Sequence, residues 1–229
     1  MTYVLDPFVY LRLQASSKVI PHNGNLSVIC DLACGEGIFM RLVESIFPNA
    51  LKIGIDIDNK KLKRAKLNTT QTDFILADIR FIPLRLSSCD LIFCFEAIEH
   101  LDDTKSFLHE VRRILTSVGS FVISTPNIHS LSSLTAKFVY FMLGKKYVAF
   151  DKTHINLFWP NKLFAELERA SFKILDINGF WLLPVGLSYP PLLRRLIKHS
   201  SIEKILIKTF RNKFLISLAF ITIVICKRR

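Results

Sequence analysis

Residues 28–39 read VICDLACGEGIF and set three signals side by side. Val28, Ile29 and Cys30 form an apolar run that closes on Asp31. Gly35 and Gly37 then offer a turn, since glycine enters positive φ without a steric penalty. From Gly37 apolar residues recur at helical spacing through Phe47 and stop before Pro48. Strand, glycine turn and helix in that order are the repeating unit of a parallel α/β sheet. The turn either reverses the chain and nothing more, or holds a ligand where a helix N-terminus presents N–H groups to an anion.

The pattern repeats outward. LKIGID (51–56) reads as a second strand and NKKLKRAKLN (59–68) as a basic helix with Leu62, Ala65 and Leu67 facing inward. TDFILAD (72–78) and CDLIFCFE (89–96) read as the third and fourth strands, TKSFLHEVRRILTS (104–117) as an amphipathic helix, and GSFVISTP (119–126) as the fifth strand. Nearly continuous apolar strands between helices mean a sheet covered on both faces. After Pro126 the pattern loosens into an insert, 127–156, with one apolar helix, SLTAKFVYFML. A helix (161–170), a strand (172–181) and a basic insert (182–213) follow. The apolar run FLISLAFITIVIC (214–226) is too short for a membrane span of about 20 residues, and its β-branched content favours a buried strand over a tail anchor. The expectation is a doubly wound α/β fold of seven strands in one domain (1–229), with residues 1–25 as an N-terminal helical segment and the last strand antiparallel.

Half the residues are hydrophobic, which excludes a disordered chain. The five cysteines (30, 34, 89, 94, 226) are odd in number and never stand as C-x-x-C, so they read as buried reduced thiols of a cytoplasmic protein. No secretory signal pattern opens MTYVLDPFVYLRLQ. Residues 1–128 hold 14 basic and 14 acidic side chains, whereas residues 129–229 hold 17 and 5. The whole net charge of +12 therefore lies in the second half, and an anionic partner would explain that asymmetry.

Ligands of open parallel sheets bind at the carboxyl ends of the strands. Four such ends carry acids: Asp31 with Gly35 and Gly37, Asp56, Asp78, and FEAIEHL (95–101). Met40 stands where a dinucleotide fingerprint has its third glycine, which weakens an NAD reading. Asp56, 21 residues after Gly35, suits a ribose diol, and Asp78 beside the Ile79 N–H suits an adenine edge. Taken singly, each acid is also a plausible cap or turn residue.

In combination the motifs resemble the class I S-adenosylmethionine (SAM)-dependent methyltransferases, whose sheet is Rossmann-like. DLACGEG, GIDID, ADIRFIPL, CDLIFCFEAIEHL and GSFVISTPN resemble that family's successive motifs, and THINLFWPNKLFAELERASFKI its later helix–strand unit. The resemblance implies SAM as cofactor. Asp31, Ala33, Cys34, Gly35 and Gly37 would cradle its methionine part, Asp56 and Ile57 its ribose side, Asp78 and Ile79 its adenine, and Phe95 would lie beside the methionine. Ala33 departs from the family, which has glycine there. FEAIEH, STPN and a later TH are similar to the O-methyltransferases of quinone biosynthesis. That likeness implies a metal such as Mg²⁺ at Glu96, Glu99 and His100, and from PFVYLRL an Arg12 near SAM.

If the acceptor is a hydroxyl, His100 and His154 are the candidate catalytic bases, since imidazole titrates near neutrality. A metal that lowers the hydroxyl pKa is the alternative. His109, His129 and His199 read as surface or structural residues. The expected acceptor is a small or lipid-linked molecule chosen by the two inserts. Residues 182–213 mix Leu and Ile with Lys and Arg, the composition of a segment that touches anionic membrane from the cytoplasmic side. Nucleic-acid binding ranks lower because aromatics for stacking are few there. A tRNA or protein methyltransferase, or a SAM-binding regulator without catalysis, remains the alternative.

Overall fold

The computed structural model describes residues 26–142, 153–180 and 212–229. Arg12, the N-terminal segment and most of the basic insert 182–213 lie outside them. The described chain forms β1 (Val28–Leu32), α1 (Ile38–Ile46), β2 (Leu51–Asp56), α2 (Asn59–Asn68), β3 (Thr72–Leu76) and β4 (Cys89–Phe95). A 3-10 turn (Ile98–His100), α3 (Thr104–Ile114), β5 (Leu115–Pro126), α4 (Leu131–Met142), α5 (Pro160–Arg169), β6 (Phe172–Phe180), α6 (Lys213–Leu218) and β7 (Ile221–Arg228) follow.

The strands form one seven-stranded sheet in the order β3-β2-β1-β4-β5-β7-β6. The first five pair in parallel, and β7 lies between β5 and β6, antiparallel to both. Alternation along each strand feeds two apolar layers. Ile29, Leu91, Phe93 and Phe95 pack with Phe39, Met40 and Val43 of α1. Cys30, Leu32, Ile92 and Cys94 face the other way, against Phe107, Leu108 and Val111 of α3 and Leu163 and Leu167 of α5. Each large apolar side chain so buried contributes about 1.5–3 kcal/mol. All five cysteines are buried free thiols, as the sequence indicates.

Helix starts follow local chemistry. Asp58 accepts the N–H groups of Lys60 and Lys61 at the start of α2, and Asp103 those of Lys105 and Ser106 at the start of α3. Pro160 opens α5, where its missing N–H costs nothing.

Three expectations are corrected. Leu67 is exposed, because Leu62 and Ala65 already take the inward stripe of α2. α3 stops at Ile114, since Leu115 is drawn into β5 opposite Cys89. The run 214–226 is not one strand. Asn212 caps α6, and β7 begins only at Ile221. Ile221 already meets Pro126 and Phe180 while Arg228 meets Phe172, so eight residues cross the sheet and those before them have no ladder to join. Residues 221–226 are buried in the sheet, which rules out an anchor in that stretch. Among the described residues no helix is long and apolar enough to cross a membrane.

Candidate functional site

The carboxyl ends of β1 to β4 surround a cavity of about 690 Å³. Of the residues expected there, Ala33, Asp56, Ile57, Asp78, Ile79, Glu96 and His100 line it. Asp31 is buried at the end of β1, Cys34 and Phe95 are buried in the core, and Phe95 packs edge-on against Phe39.

The glycine turn is tied down from within. Three of its N–H groups are engaged: Cys34 N–H donates to Ile55 O at 3.0 Å, Gly35 N–H to Asp56 Oδ2 at 2.8 Å and Gly37 N–H to Cys34 O at 3.1 Å. The loop therefore does not offer these N–H groups to an anion, and the carboxylate at the end of β2 holds the turn in shape. Gly35 and Gly37 sit at φ of 56° and 71°. A Cβ on Gly37 would fall 3.0 Å from Cβ of Ala65, so position 37 demands glycine on two counts, whereas a Cβ on Gly35 would meet nothing within 4 Å. The loop is thus open toward a ligand at Gly35 and closed against α2 at Gly37. Ala33 takes φ 59°, the left-handed region that explains why glycine is usual there.

Asp56 is 5% exposed and accepts a second N–H, from Asp58, on Oδ1 at 2.8 Å. An ionised carboxylate has about four acceptor sites, so two remain for a ribose diol. Asp78 is engaged more fully. Arg80 donates Nη2–H to its Oδ2 at 2.6 Å and Nε–H to both oxygens at 3.0 Å. The Arg80 side chain holds the Asp78 carboxyl below its ordinary range. Arg80 also pairs with Asp102, which bridges the loop after β3 to the segment before α3. Sequence reading missed Arg80 as a lining residue; the signal was present in the acid–x–arginine spacing of residues 78–80.

Glu96 closes β4 at φ 51°, a strained conformation for glutamate, and its Oε1 accepts the Ser124 hydroxyl at 2.8 Å. Beyond it, Glu99 O accepts the N–H groups of both Ile155 and Asn156, at 3.0 and 2.9 Å. These bonds bring His154 beside His100, ring centroids 4.6 Å apart and edge-on. His100 Nδ1 lies 3.1 Å from Thr153 O. A carbonyl only accepts, so Nδ1 carries the proton and Nε2 carries the lone pair. Glu99 Oε2 accepts the Thr125 hydroxyl at 3.0 Å.

One ligand atom each from Glu99, His100 and His154 lies within 4.8 Å of the others. This group differs from the expected metal set: Glu96 is turned to Ser124 and His154 stands in its place. Two imidazoles and one carboxylate are a poor match for Mg²⁺, which prefers oxygen ligands.

The parallel sheet with an antiparallel seventh strand, and the acid-lined cavity at its carboxyl edge, agree with the architecture that the resemblance to class I SAM-dependent methyltransferases implies. Residues 30–123 match the family described as "Methyltransferase domain". An uncharacterized protein of Methanocaldococcus jannaschii is 29% identical over 189 residues, spanning 81% of this chain and 74% of that protein. The ubiquinone biosynthesis O-methyltransferase of Nitrosomonas europaea is 30% identical over 146 residues, 60% of this chain and 57% of the relative. Several other curated relatives are spanned for half their length or less. A solved SAM-dependent methyltransferase of Thermotoga maritima shares the fold with a TM-score of 0.69 at 14% identity, over 97% of this chain and 89% of that one.

Proposed function

We propose that this protein moves the methyl group of SAM to an oxygen of a small or lipid-linked acceptor. The observation that carries the reading is His100 at the cavity wall, its Nδ1–H given to Thr153 O and its Nε2 left as an acceptor. Bound SAM supplies an electrophilic methyl carbon. The residues of this chain supply the rest. Asp56 accepts the ribose hydroxyls, Asp78 and Ile79 receive the adenine edge, and the Ala33–Gly37 turn carries the methionine part. His100 Nε2 takes the acceptor's hydroxyl proton as the new carbon–oxygen bond forms. Most of the rate gain in such a displacement comes from alignment, and general-base help adds about 10²–10⁴-fold. The inserts 127–156 and 182–213 select the acceptor, and two relatives named as O-methyltransferases support oxygen as the target.

The test is transfer from methyl-labelled SAM into separate pools of lipid extract, small molecules and RNA. Label in the lipid or small-molecule pool as an O-methyl product is the expected result. Label in RNA or protein, or binding of SAM with no transfer, overturns it. His100→Gln lowers kcat about 10²-fold with SAM affinity unchanged; an unchanged kcat removes His100 as base.

A further inference from the structure

α4 is inside out. Ser133 is buried, with its hydroxyl 2.9 Å from Ser130 Oγ and 3.3 Å from Asn127 O. Leu131, Leu134, Phe138, Phe141 and Met142 are exposed, Phe138 by 65% and Phe141 by 78%. At about 100° per residue these five positions fall within one narrow stripe of the helix, on the side away from Ser133. A helix facing water carries the opposite arrangement, and a contiguous exposed apolar patch marks a contact surface.

The root of α4 belongs to the cavity edge of the sheet, since the helix leaves the carboxyl end of β5 after a short turn. Ile128 N–H donates to Phe158 O at 3.0 Å, which ties that root to the segment holding His154. Ile155, Leu157 and Trp159 of the segment are also exposed, and Ile155 lines the cavity. Apolar side chains thus run from the cavity wall to the helix.

Charge decides what covers them. Lys137 on α4 is exposed, and Lys162 Nζ lies 5.5 Å from the centroid of the Trp159 ring in the neighbouring segment. Residues 129–229 carry 17 basic and 5 acidic side chains. Two copies meeting through this face would oppose like charge, whereas an anionic bilayer surface supplies apolar contact and charge complementarity together. We infer that α4 lies in the headgroup–acyl boundary of an anionic membrane, with the cavity edge turned toward the bilayer. This goes beyond the acceptor's identity, and its test does not depend on catalysis.

The experiment is flotation of the full chain with vesicles of phosphatidylcholine alone or with a third phosphatidylglycerol, beside the double variant Phe138→Glu/Phe141→Glu. Wild type is expected to float with anionic vesicles, and the variant to partition at least about tenfold less, the loss of apolar burial by two rings. Unchanged circular dichroism and SAM affinity show that the variant is folded. Failure of wild type to float overturns the inference. So does equal flotation of the variant, which assigns binding to charge elsewhere, and so does a solution dimer that the variant dissolves, which assigns the face to a second copy.

Discussion

The glycine turn after β1 and the helix after β5 leave the same edge of one sheet, yet they are built on opposite rules. In the turn, polar groups point inward: Asp56 and the carbonyls of Cys34 and Ile55 take three of its N–H groups. In α4 the hydroxyl of Ser133 goes inward and the aromatic rings go out. The first region is finished in water and has a cavity for a small polar ligand. The second turns the rings of Phe138 and Phe141 outward. The charges divide along the same line, balanced through residue 128 and basic beyond it.

Substitutions can break this contrast. The largest effect is expected at Asp56, whose carboxylate holds the glycine turn and, in the proposed function, the ribose hydroxyls as well. Asp56→Ala should weaken SAM binding about a hundredfold by calorimetry, and the less disruptive Asp56→Asn should weaken it less, on the usual worth of hydrogen bonds to a charged group. Gly37→Ala forces a methyl against Ala65 at positive φ and should lower stability by about 2 kcal/mol, read by urea denaturation. In α4 the signs invert. Ser133→Ala, a loss of a buried hydroxyl, should cost about 1 kcal/mol, whereas Phe138→Gln should change stability by less than about 0.5 kcal/mol. A large loss at Phe138 would mean that the ring is packed in solution.

Much of the cofactor side was legible because strand ends, glycines and acids fall at spacings that only one topology satisfies. Asp56 and Asp78 could be placed on the cavity from residue order alone. What His154 does could not. It reaches His100 through the backbone bonds from Ile155 and Asn156 to Glu99 O, and a carbonyl leaves no mark in sequence. The same limit governs α4. The sequence showed an apolar helix, but composition does not say which of its faces turns inward. The split of residues 214–226 into α6 and β7 was hidden for a related reason, since sheet width is set by partners far off in the chain.

Two smaller tests sharpen the cofactor side. Ala33→Gly relieves a left-handed alanine and should stabilise by about 0.5–1 kcal/mol, net of the extra freedom of glycine in the unfolded chain. Arg80→Gln should leave the fold intact and move the acid limit of SAM binding. Arg80 holds the Asp78 carboxyl low, so the ionised form persists as pH falls through the ordinary carboxyl range near 4 and is lost below it. Without Arg80 that loss should begin at higher pH, and a titration of SAM affinity from pH 3.5 to 7 would register it. An unmoved profile would mean that Asp78 does not contact the cofactor.

β7 has a consequence for how the protein is made. Among the described residues β6 has its ladder with β7 alone, and β7 begins at Ile221. As synthesis proceeds, β6 emerges with no strand to join, and the long edge of β5 waits beside it with its N–H and C=O groups open. An unpaired apolar edge is a template for the wrong neighbour. Until β7 is made, β5 and β6 lack the strand that joins them. That interval, more than any weakness of the finished fold, is when a chaperone or a membrane surface has the most to offer it.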